Sequence, residues 1–263
     1  MAVVALTIAG SDPSGGAGLQ ADLKTFQAFG VHGATVVTCV TVQDTTGVRD
    51  RFDLTRALVA AQLDAVLGDL PVGAAKTGLL PDADVVEAVV ERLRGRGLPL
   101  VVDPVLVATS GDALTAPSAL AAIRDRLLPL AAVVTPNLSE AEALTGRPVR
   151  TVAEMRDAAA ALCALGARAA LVKGGHLRDR ACDVLATATE VHALEAARLA
   201  VGPVHGTGCT LSAAIAAELA RGEEVFDAVQ AARAYVRRAI AASAALGRGS
   251  RLLDHRVDPC DGH

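Results

Sequence analysis

Short runs of apolar, β-branched residues alternate with helical patterns along most of the chain, and this alternation limits the possible folds strongly. Residues 3–9, 35–42 and 100–102 have the composition of buried strands. Residues 82–93 have the spacing of an amphipathic helix, with an aspartate at its start and glycines after its end. The alternation predicts an α/β fold, in which a mostly parallel sheet is covered by helices on both faces.

The same rhythm continues to the last helical segment. We expect further strands at residues 72–76, 132–134 and 169–173, and antiparallel strands within 182–200. Helices are expected at 19–29, 54–67 and 118–127, from Ser139 onward, and at 210–220 and 225–246. Because no Pro-, Ser- or charge-rich linker and no internal repeat interrupts the pattern, we predict a single domain over residues 1–263.

Composition excludes several classes of function. The chain has 263 residues, 52% of them hydrophobic, which is enough for a large core. A net charge of −4 without a basic cluster disfavours a nucleic-acid partner. No apolar stretch approaches the roughly 20 residues of a membrane span, and the apolar N-terminus is expected to form a strand. Five cysteines without metal-ligand spacing fit a reducing compartment, so a cytoplasmic location is expected.

Polar residues follow several of the predicted strands directly. Asp103, Asn137 and Lys173 each come at or just after a strand, as does the glycine-rich loop of residues 10–18. Ligands of open α/β sheets bind at the carboxyl ends of the strands. The sequence therefore predicts a binding site built from four separate segments at one edge of the sheet.

The motif His205-Gly206-Thr207-Gly208-Cys209-Thr210 opens a helix. Its small residues would expose backbone N–H groups at a helix N-terminus, where an anion is favoured. Taken alone, the motif fits a tight turn before a packed helix equally well. The sequence contains no Walker A loop, no GxGxxG after the first strand and no GxSxG, which disfavours P-loop NTPases, dinucleotide-binding dehydrogenases and hydrolases.

Other polar residues suggest a metal and phosphates. The oxygens of Asp103, Asn137 and Glu140 could hold Mg²⁺ against ATP phosphates, although Asn137 is equally suited to cap a helix. An anion beside Lys173 would compensate for the cost of burying its ammonium, and this interpretation is preferred to a lysine that extends to the surface.

Together these segments resemble the hydroxymethylpyrimidine/phosphomethylpyrimidine kinases of thiamin biosynthesis, in the ribokinase-like superfamily. The matching stretches run in order from residue 7 to residue 216: TIAGSDPSGGAGLQADLKTF, VQDTTGV, KTGLL, DPVLVATSG, TPNLSEAEALTG, LVKGGH and HGTGCTLSAAIA. The resemblance implies ATP-dependent phosphorylation of 4-amino-5-hydroxymethyl-2-methylpyrimidine and of its monophosphate, with Mg²⁺. It also implies a ribokinase-like fold and, as in many relatives, a homodimer.

The resemblance also assigns roles to individual residues. The pyrimidine is expected against Gly10, Ala17, Asp22 and Gln43, with Leu79 and Val107 as apolar walls. ATP is expected on Asn137, Lys173, Thr207 and Gly208, and the metal near Asp103 and Glu140. Transfer is expected at Lys173, Gly206, Gly208 and Cys209.

Cys209 occupies the position where the wider superfamily usually has an aspartate that deprotonates the attacking hydroxyl. A helix N-terminus can lower the pKa of a thiol, whereas bound phosphates raise it. We therefore keep two roles open for Cys209, a base and a pocket wall.

Two residues depart from the family pattern. Leu79 replaces a common Met. Asp44 replaces a common Asn, and it could repel a phosphorylated substrate or bind backbone in its own turn.

Two other functions remain possible at this level. A pyridoxal kinase of the same superfamily would perform nearly the same chemistry on another hydroxymethyl-bearing ring. A non-catalytic nucleotide- or pyrimidine-binding protein would keep the fold but is expected to lose one of the catalytic groups.

Overall fold

A nine-stranded sheet forms the centre of the part of the chain that the computed structural model describes, which is residues 2–106, 115–175 and 181–259. The strand order is β3-β2-β1-β4-β5-β6-β7-β8-β9. The strands are β1 Val4–Ser11, β2 His32–Asp44, β3 Gly47–Asp53, β4 Val72–Thr77, β5 Leu100–Val102, β6 Val133–Val134, β7 Ala169–Val172, β8 Ala181–Thr187 and β9 Val191–Ala196. A separate two-stranded pair joins β10 Val204–His205 to β11 Arg251–Leu252.

The six neighbouring strands from β2 to β7 in this order pair in parallel. β3 extends one edge antiparallel to β2, and β8 and β9 extend the other edge as antiparallel strands. The mostly parallel sheet and the antiparallel pair within residues 182–200 are thus confirmed. β3 was not predicted, because its alternating charged residues cover an exposed edge and carry no apolar pattern.

Helices cover both faces of the sheet, as predicted. They are α1 Gly18–Ala28, α2 Arg56–Asp69, α3 Ala83–Leu93, α4 Pro117–Ala122, α5 Leu138–Thr145, α6 Val152–Ala164, α7 Thr207–Arg221 and α8 Val225–Ala241. A π-helical turn, Ile123–Leu127, and a 3₁₀ turn, Leu128–Leu130, continue α4. Within the described ranges, no helix has the length and apolar character needed to cross a membrane.

The strands distribute their side chains between two hydrophobic cores. In β1, Leu6 and Ile8 pack with α2 to α6 on one face, whereas Ala5 packs with α1, α7 and α8 on the other. This division follows the two-residue side-chain period of a strand. The cores consist mainly of Ala, Val and Leu, which is consistent with only 2% aromatic residues in the chain.

The last helix ends earlier than predicted. The sequence pattern suggests a helix to residue 246, but α8 ends at Ala241. Beyond it, Ala244 pairs with Leu252, and Arg251 donates its backbone N–H to Pro203 at 2.9 Å. The closing segment therefore folds back against β10, the strand that leads into α7.

Candidate active site

The carboxyl ends of β1, β2, β4, β5, β6 and β7 converge with the N-terminus of α7 around a cavity of about 790 Å³. The cavity thus lies where parallel sheets commonly bind ligands. Twelve of the predicted site residues line it: Gly10, Ala17, Gln43, Leu79, Asp103, Asn137, Glu140, Lys173, Gly206, Thr207, Gly208 and Cys209. Val107 lies outside the described residues, and Asp22 is not in the cavity wall.

The start of α7 is fixed by a close contact between two loops. Gly206 is the N-cap of α7 with φ 81°, a left-handed conformation that favours glycine. A Cβ on Gly206 would lie 1.8 Å from the carbonyl oxygen of Gly16, so the glycine-rich loop and the helix start can meet only without a side chain there. The amides of the first turn have no acceptor within their own helix, and they border the cavity.

An ion pair between the partly buried Lys173 and the buried Asp103 lies next to this helix start. The Lys173 ammonium donates to Oδ1 of Asp103 at 3.0 Å, while Ser212 of α7 donates to Oδ2 of Asp103 at 3.1 Å. A Cβ on Gly208 would lie 3.1 Å from Nζ of Lys173, so glycine at this position lets the lysine approach the helix start. Burial alone would lower the pKa of Lys173, but the carboxylates of Asp103 and Glu140 outweigh it and raise that pKa.

Asn137 and Glu140 form a capping box at the start of α5. The Asn137 side chain accepts from the Glu140 backbone N–H at 2.9 Å, and Oε2 of Glu140 accepts from the Asn137 backbone N–H at 2.7 Å. The capping role considered for Asn137 is thus confirmed. Because both residues also line the cavity, capping does not exclude contact with a ligand.

The oxygen donors on this side of the cavity suit Mg²⁺. Burial raises the pKa of Glu140 to about 7, with the charge of Asp103 adding to the shift and Lys173 opposing it. A nearby cation would stabilise the ionised form of a carboxyl in this environment. Within the described ranges no group of three His, Cys, Asp or Glu residues could hold a metal ion. Mg²⁺ usually binds one or two carboxylates together with waters and substrate phosphates.

Asp22 lies beneath the cavity and pairs with a residue that the sequence analysis missed. Oδ2 of Asp22 accepts from Lys76 Nζ at 2.8 Å and from the Thr7 hydroxyl at 2.6 Å. Both members of the ion pair are fully buried, and only Lys76 lines the cavity. Burial alone would lower the pKa of Lys76, but Asp22 and Cys209 outweigh it and raise that pKa. The expected direct contact between Asp22 and a substrate is therefore not available in this structure.

Cys209 lines the cavity at the first turn of α7. Burial raises the pKa of its thiol to about 11, while the ammonium of Lys76 opposes the shift. The helix N-terminus therefore does not produce a low thiol pKa here. At neutral pH the protonated thiol is the dominant form of Cys209.

Gln43 and His205 also line the cavity and contact each other. The side-chain amide of Gln43 lies 2.9 Å from Nε2 of His205, and this nitrogen lies 3.1 Å from Oδ2 of Asp12. Asp12 is held in the glycine-rich loop by the backbone N–H groups of Ser14 and Ala17, at 2.9 and 2.8 Å. His205 thus connects three segments that are distant in sequence.

Another contact that sequence reasoning missed holds the loop after β7. Asp183 accepts from the Gly174 backbone N–H at 3.0 Å and from Nε of Arg233 at 2.8 Å. Arg233 also donates to the Leu194 carbonyl at 2.6 Å. α8 carries Arg233, Arg237 and Arg238, and nothing in the sequence singles out Arg233 for this contact.

Leu79 and Asp44, the two residues that depart from the family pattern, differ in their relation to the cavity. Leu79 lines the cavity, whereas Asp44 does not. Oδ1 of Asp44 accepts from the Thr46 backbone N–H at 2.8 Å, and Asp44 forms an ion pair with Arg49. Hydrogen bonds from Thr46 and the charge of Arg49 lower the pKa of Asp44 to about 2. Binding within its own turn, one of the two alternatives for Asp44, is confirmed.

Comparison with known proteins gives a consistent result. The family model for phosphomethylpyrimidine kinase matches residues 12–254. A hydroxymethylpyrimidine/phosphomethylpyrimidine kinase of Streptomyces coelicolor is 51% identical, over 95% of this chain and 93% of its own length.

Two solved structures are also similar. A phosphomethylpyrimidine kinase from Clostridium difficile is 39% identical, with a TM-score of 0.81 over 90% of this chain and 99% of that one. The chain in an ADP complex of Bacillus subtilis pyridoxal kinase is 38% identical, with a TM-score of 0.89 over 97% of this chain and 98% of that one. The fold is therefore ribokinase-like, and the chain belongs to the phosphomethylpyrimidine kinase family.

Proposed function

We propose that this chain transfers the γ-phosphoryl group of ATP to the hydroxymethyl oxygen of 4-amino-5-hydroxymethyl-2-methylpyrimidine, and then phosphorylates the resulting monophosphate. The observation that carries the proposal is that Lys173, Gly208 and Cys209 line the same cavity as Gln43, with Lys173 next to Gly208. The first group suits a phosphate chain and the second an aminopyrimidine edge. Relatives with about half of their residues identical carry this activity in their names.

Electrostatics and positioning supply most of the catalysis in this proposal. Phosphoryl transfer requires little covalent chemistry from a protein, so catalysis depends on in-line placement and charge neutralisation. Lys173 would hold the phosphates against the first-turn amides of α7, and Ser212 keeps Asp103 in place beside Lys173. When bound, Mg²⁺ would neutralise phosphate charge, held near Asp103 and Glu140 by direct or water-mediated contacts.

The role of Cys209 is a separate step of the proposal. We retain the hypothesis that it lies beside the hydroxymethyl oxygen and assists its deprotonation. A thiol pKa of about 11 makes the resting thiolate scarce at neutral pH. A contribution from Cys209 as base therefore predicts a kcat that rises with pH above 7 and loses this rise in Cys209→Ala. An unchanged kcat and pH profile in Cys209→Ala would make the residue a pocket wall.

A second substrate is supported by one observation. The Bacillus subtilis relative is named a pyridoxal kinase and was crystallised with ADP, and its chain aligns with almost all of this one. Parallel assays with hydroxymethylpyrimidine and pyridoxal, measured as ADP release with Mg²⁺, compare the two values of kcat/KM. We expect the pyrimidine to be preferred. A higher kcat/KM for pyridoxal would replace the proposed substrate, and ADP release at the no-substrate level for both would favour a binding protein.

We also propose that two copies of the chain pair through the ribbon of β2 and β3. Val40, Val42 and Phe52 expose 47%, 55% and 73% of their surface there, although each is apolar. Val40 and Phe52 are cross-strand partners, so their side chains form one patch at the edge of the sheet. A symmetric dimer would cover such a patch on both copies.

A further inference from the structure

The contacts of His205 contain a conflict of hydrogen-bond roles. Its Nε2 lies 2.9 Å from the atom placed as the amide nitrogen of Gln43 and 3.1 Å from Oδ2 of Asp12. An amide nitrogen can only donate and a carboxylate oxygen can only accept. One ring nitrogen cannot accept from Gln43 and donate to Asp12 at the same time.

The surroundings of Asp12 decide which contact holds. Its carboxyl accepts from the backbone N–H groups of Ser14 and Ala17 and from the Ser14 hydroxyl, at 2.9, 2.8 and 3.0 Å. Burial alone would raise the pKa of Asp12, but the hydrogen bonds from His205 and Ser14 outweigh it and lower that pKa. The three donors from Ser14 and Ala17 favour the ionised carboxylate without any contribution from His205. Asp12 is therefore an acceptor, and Nε2 of His205 must carry a hydrogen.

A donating Nε2 requires an acceptor on Gln43 as well. The oxygen and nitrogen of a glutamine amide are assigned from their hydrogen-bond partners, because they have nearly the same shape. With the oxygen towards His205, the amide nitrogen takes the position 3.3 Å from Oγ1 of Thr41. Thr41 can accept there, because its own hydroxyl hydrogen is donated to the Ser11 carbonyl at 2.9 Å. Each of these contacts then joins a donor to an acceptor.

We propose that His205 is a specificity-determining positioning residue, whose Nε2–H is shared by Asp12 and Gln43 and fixes the Gln43 amide with its oxygen towards His205. The amide nitrogen then lies on the Thr41 side, so Gln43 offers one donor and one acceptor to the cavity in a fixed order. An aminopyrimidine presents the complementary pair, a ring nitrogen and an adjacent amino group. The ligand part of this inference rests on the proposed function, whereas the orientation of the amide does not.

A merely structural role for His205 predicts a different pattern of effects. His205 precedes the Gly206 N-cap, and a Cβ on Gly16 would lie 2.7 Å from Cδ2 of His205. If His205 only held the glycine-rich loop against α7, its loss would weaken ATP binding at the helix start. If it acts through Gln43, its loss weakens binding of the pyrimidine and spares ATP.

The protonation state of His205 can be measured without any assay of activity. Two-bond ¹H–¹⁵N spectra of protein labelled with ¹⁵N-histidine report for each ring nitrogen whether it carries hydrogen, and His205→Gln identifies the His205 signals by their disappearance. We expect a protonated Nε2 in His205. An unprotonated Nε2 would overturn the proposed amide orientation, whatever the substrate of the enzyme is.

Kinetics test the consequence for substrate recognition. His205→Leu removes the hydrogen bond that orders the partly buried Gln43 amide, so we expect it to raise KM for hydroxymethylpyrimidine about tenfold or more. KM for ATP should stay within about threefold, and His205→Gln, which retains an N–H donor, should recover part of the loss. His192→Leu is the matched control, because His192 pairs with Glu190 at 2.8 Å on exposed β9.

A double-mutant cycle shows whether His205 acts through Gln43. In the Gln43→Ala background, His205→Leu should leave KM for the pyrimidine unchanged within about twofold. A persistent tenfold effect, or an equal rise in KM for ATP, would overturn the positioning role. Absence of kinase activity in the wild-type protein would instead refute the proposed function, and the NMR measurement would still decide the orientation of Gln43.

Discussion

Two of the three lysines of the chain lie at the cavity, each against a buried aspartate. Lys173 pairs with Asp103 at 3.0 Å, and Lys76 pairs with Asp22 at 2.8 Å. Lys173 was predicted, because it ends an apolar strand within a motif. The Lys76–Asp22 pair was not, because nothing in a single sequence shows that residues 54 positions apart meet under the same cavity. With only three lysines in the chain, the scarcity of lysine was the only sequence signal that Lys76 has a specific role.

The Asp22–Lys76 pair predicts a specific pattern of stability. Lys76→Met should lower the free energy of unfolding by about 3–5 kcal/mol, because it leaves the Asp22 carboxylate buried without a counter-charge. The double variant Asp22→Asn/Lys76→Met should recover most of this loss, since it buries no charge. Urea unfolding of both variants measures the difference.

A surface pair provides the control for this experiment. Arg56 and Glu91 are 2.7 Å apart and largely solvated, so Arg56→Met should cost less than about 1 kcal/mol. Equal losses for Lys76→Met and the double variant would show that charge burial is not what makes the pair necessary.

Among the elements, those with a clear period of hydrophobic residues were predictable and the shortest were not. β1, β5 and α3 were found at nearly the predicted positions, because each buries an apolar face. β10 and β11 have two residues each and form only because the chain returns from α8. The segment after residue 246 carried no recognisable motif, yet it supports the strand that leads into α7.

This closing segment predicts a dependence of stability on pH. His255 is buried, and its Nε2 lies 3.0 Å from Oγ1 of Thr210 in α7. Burial lowers the pKa of His255 to about 4, with the charge of Lys24 adding to the shift. Below the unfolded value near 6.5 the unfolded chain binds the proton more strongly, so the free energy of unfolding falls as pH decreases from about 6.5 to about 4.

The contribution of His255 can be separated from that of other groups. Urea unfolding at pH 7 and pH 5 should show a smaller loss of stability in His255→Gln than in wild type, which should lose about 2 kcal/mol between these two pH values through this residue. His192→Gln, at a partly exposed histidine, should behave like wild type. An identical pH dependence in His255→Gln would contradict the assignment.

At the scale of the whole molecule, the patch on β2 and β3 predicts the state of association. Phe52→Asp places a charge in the proposed contact, so light scattering should change from a mass near twice 26.6 kDa to one near 26.6 kDa. Phe226→Asp is the control, because Phe226 is 40% exposed and lies on α8, away from the ribbon. A wild-type monomer, or a dimer that persists in Phe52→Asp, would refute this interface.

The global arrangement was the most predictable level, and the detailed contacts were the least. The alternation of strands and helices is sufficient to place polar residues at one sheet edge, which is where Asp103, Asn137 and Lys173 lie. It cannot reveal that Asp22 lies under the cavity wall, nor that Asp183 holds the Gly174 amide. Those contacts depend on packing between the helix and sheet layers. Local sequence patterns do not predict this packing.

The most direct test of the proposed function is the mass of the products formed from hydroxymethylpyrimidine, ATP and Mg²⁺. We expect that a monophosphate appears first and that a diphosphate follows, each with one equivalent of ADP. Lys173→Met should abolish both products, since the phosphate-binding wall loses its charge. A wild-type protein that leaves the pyrimidine unphosphorylated, while folded and able to bind ATP, would refute the proposed kinase activity.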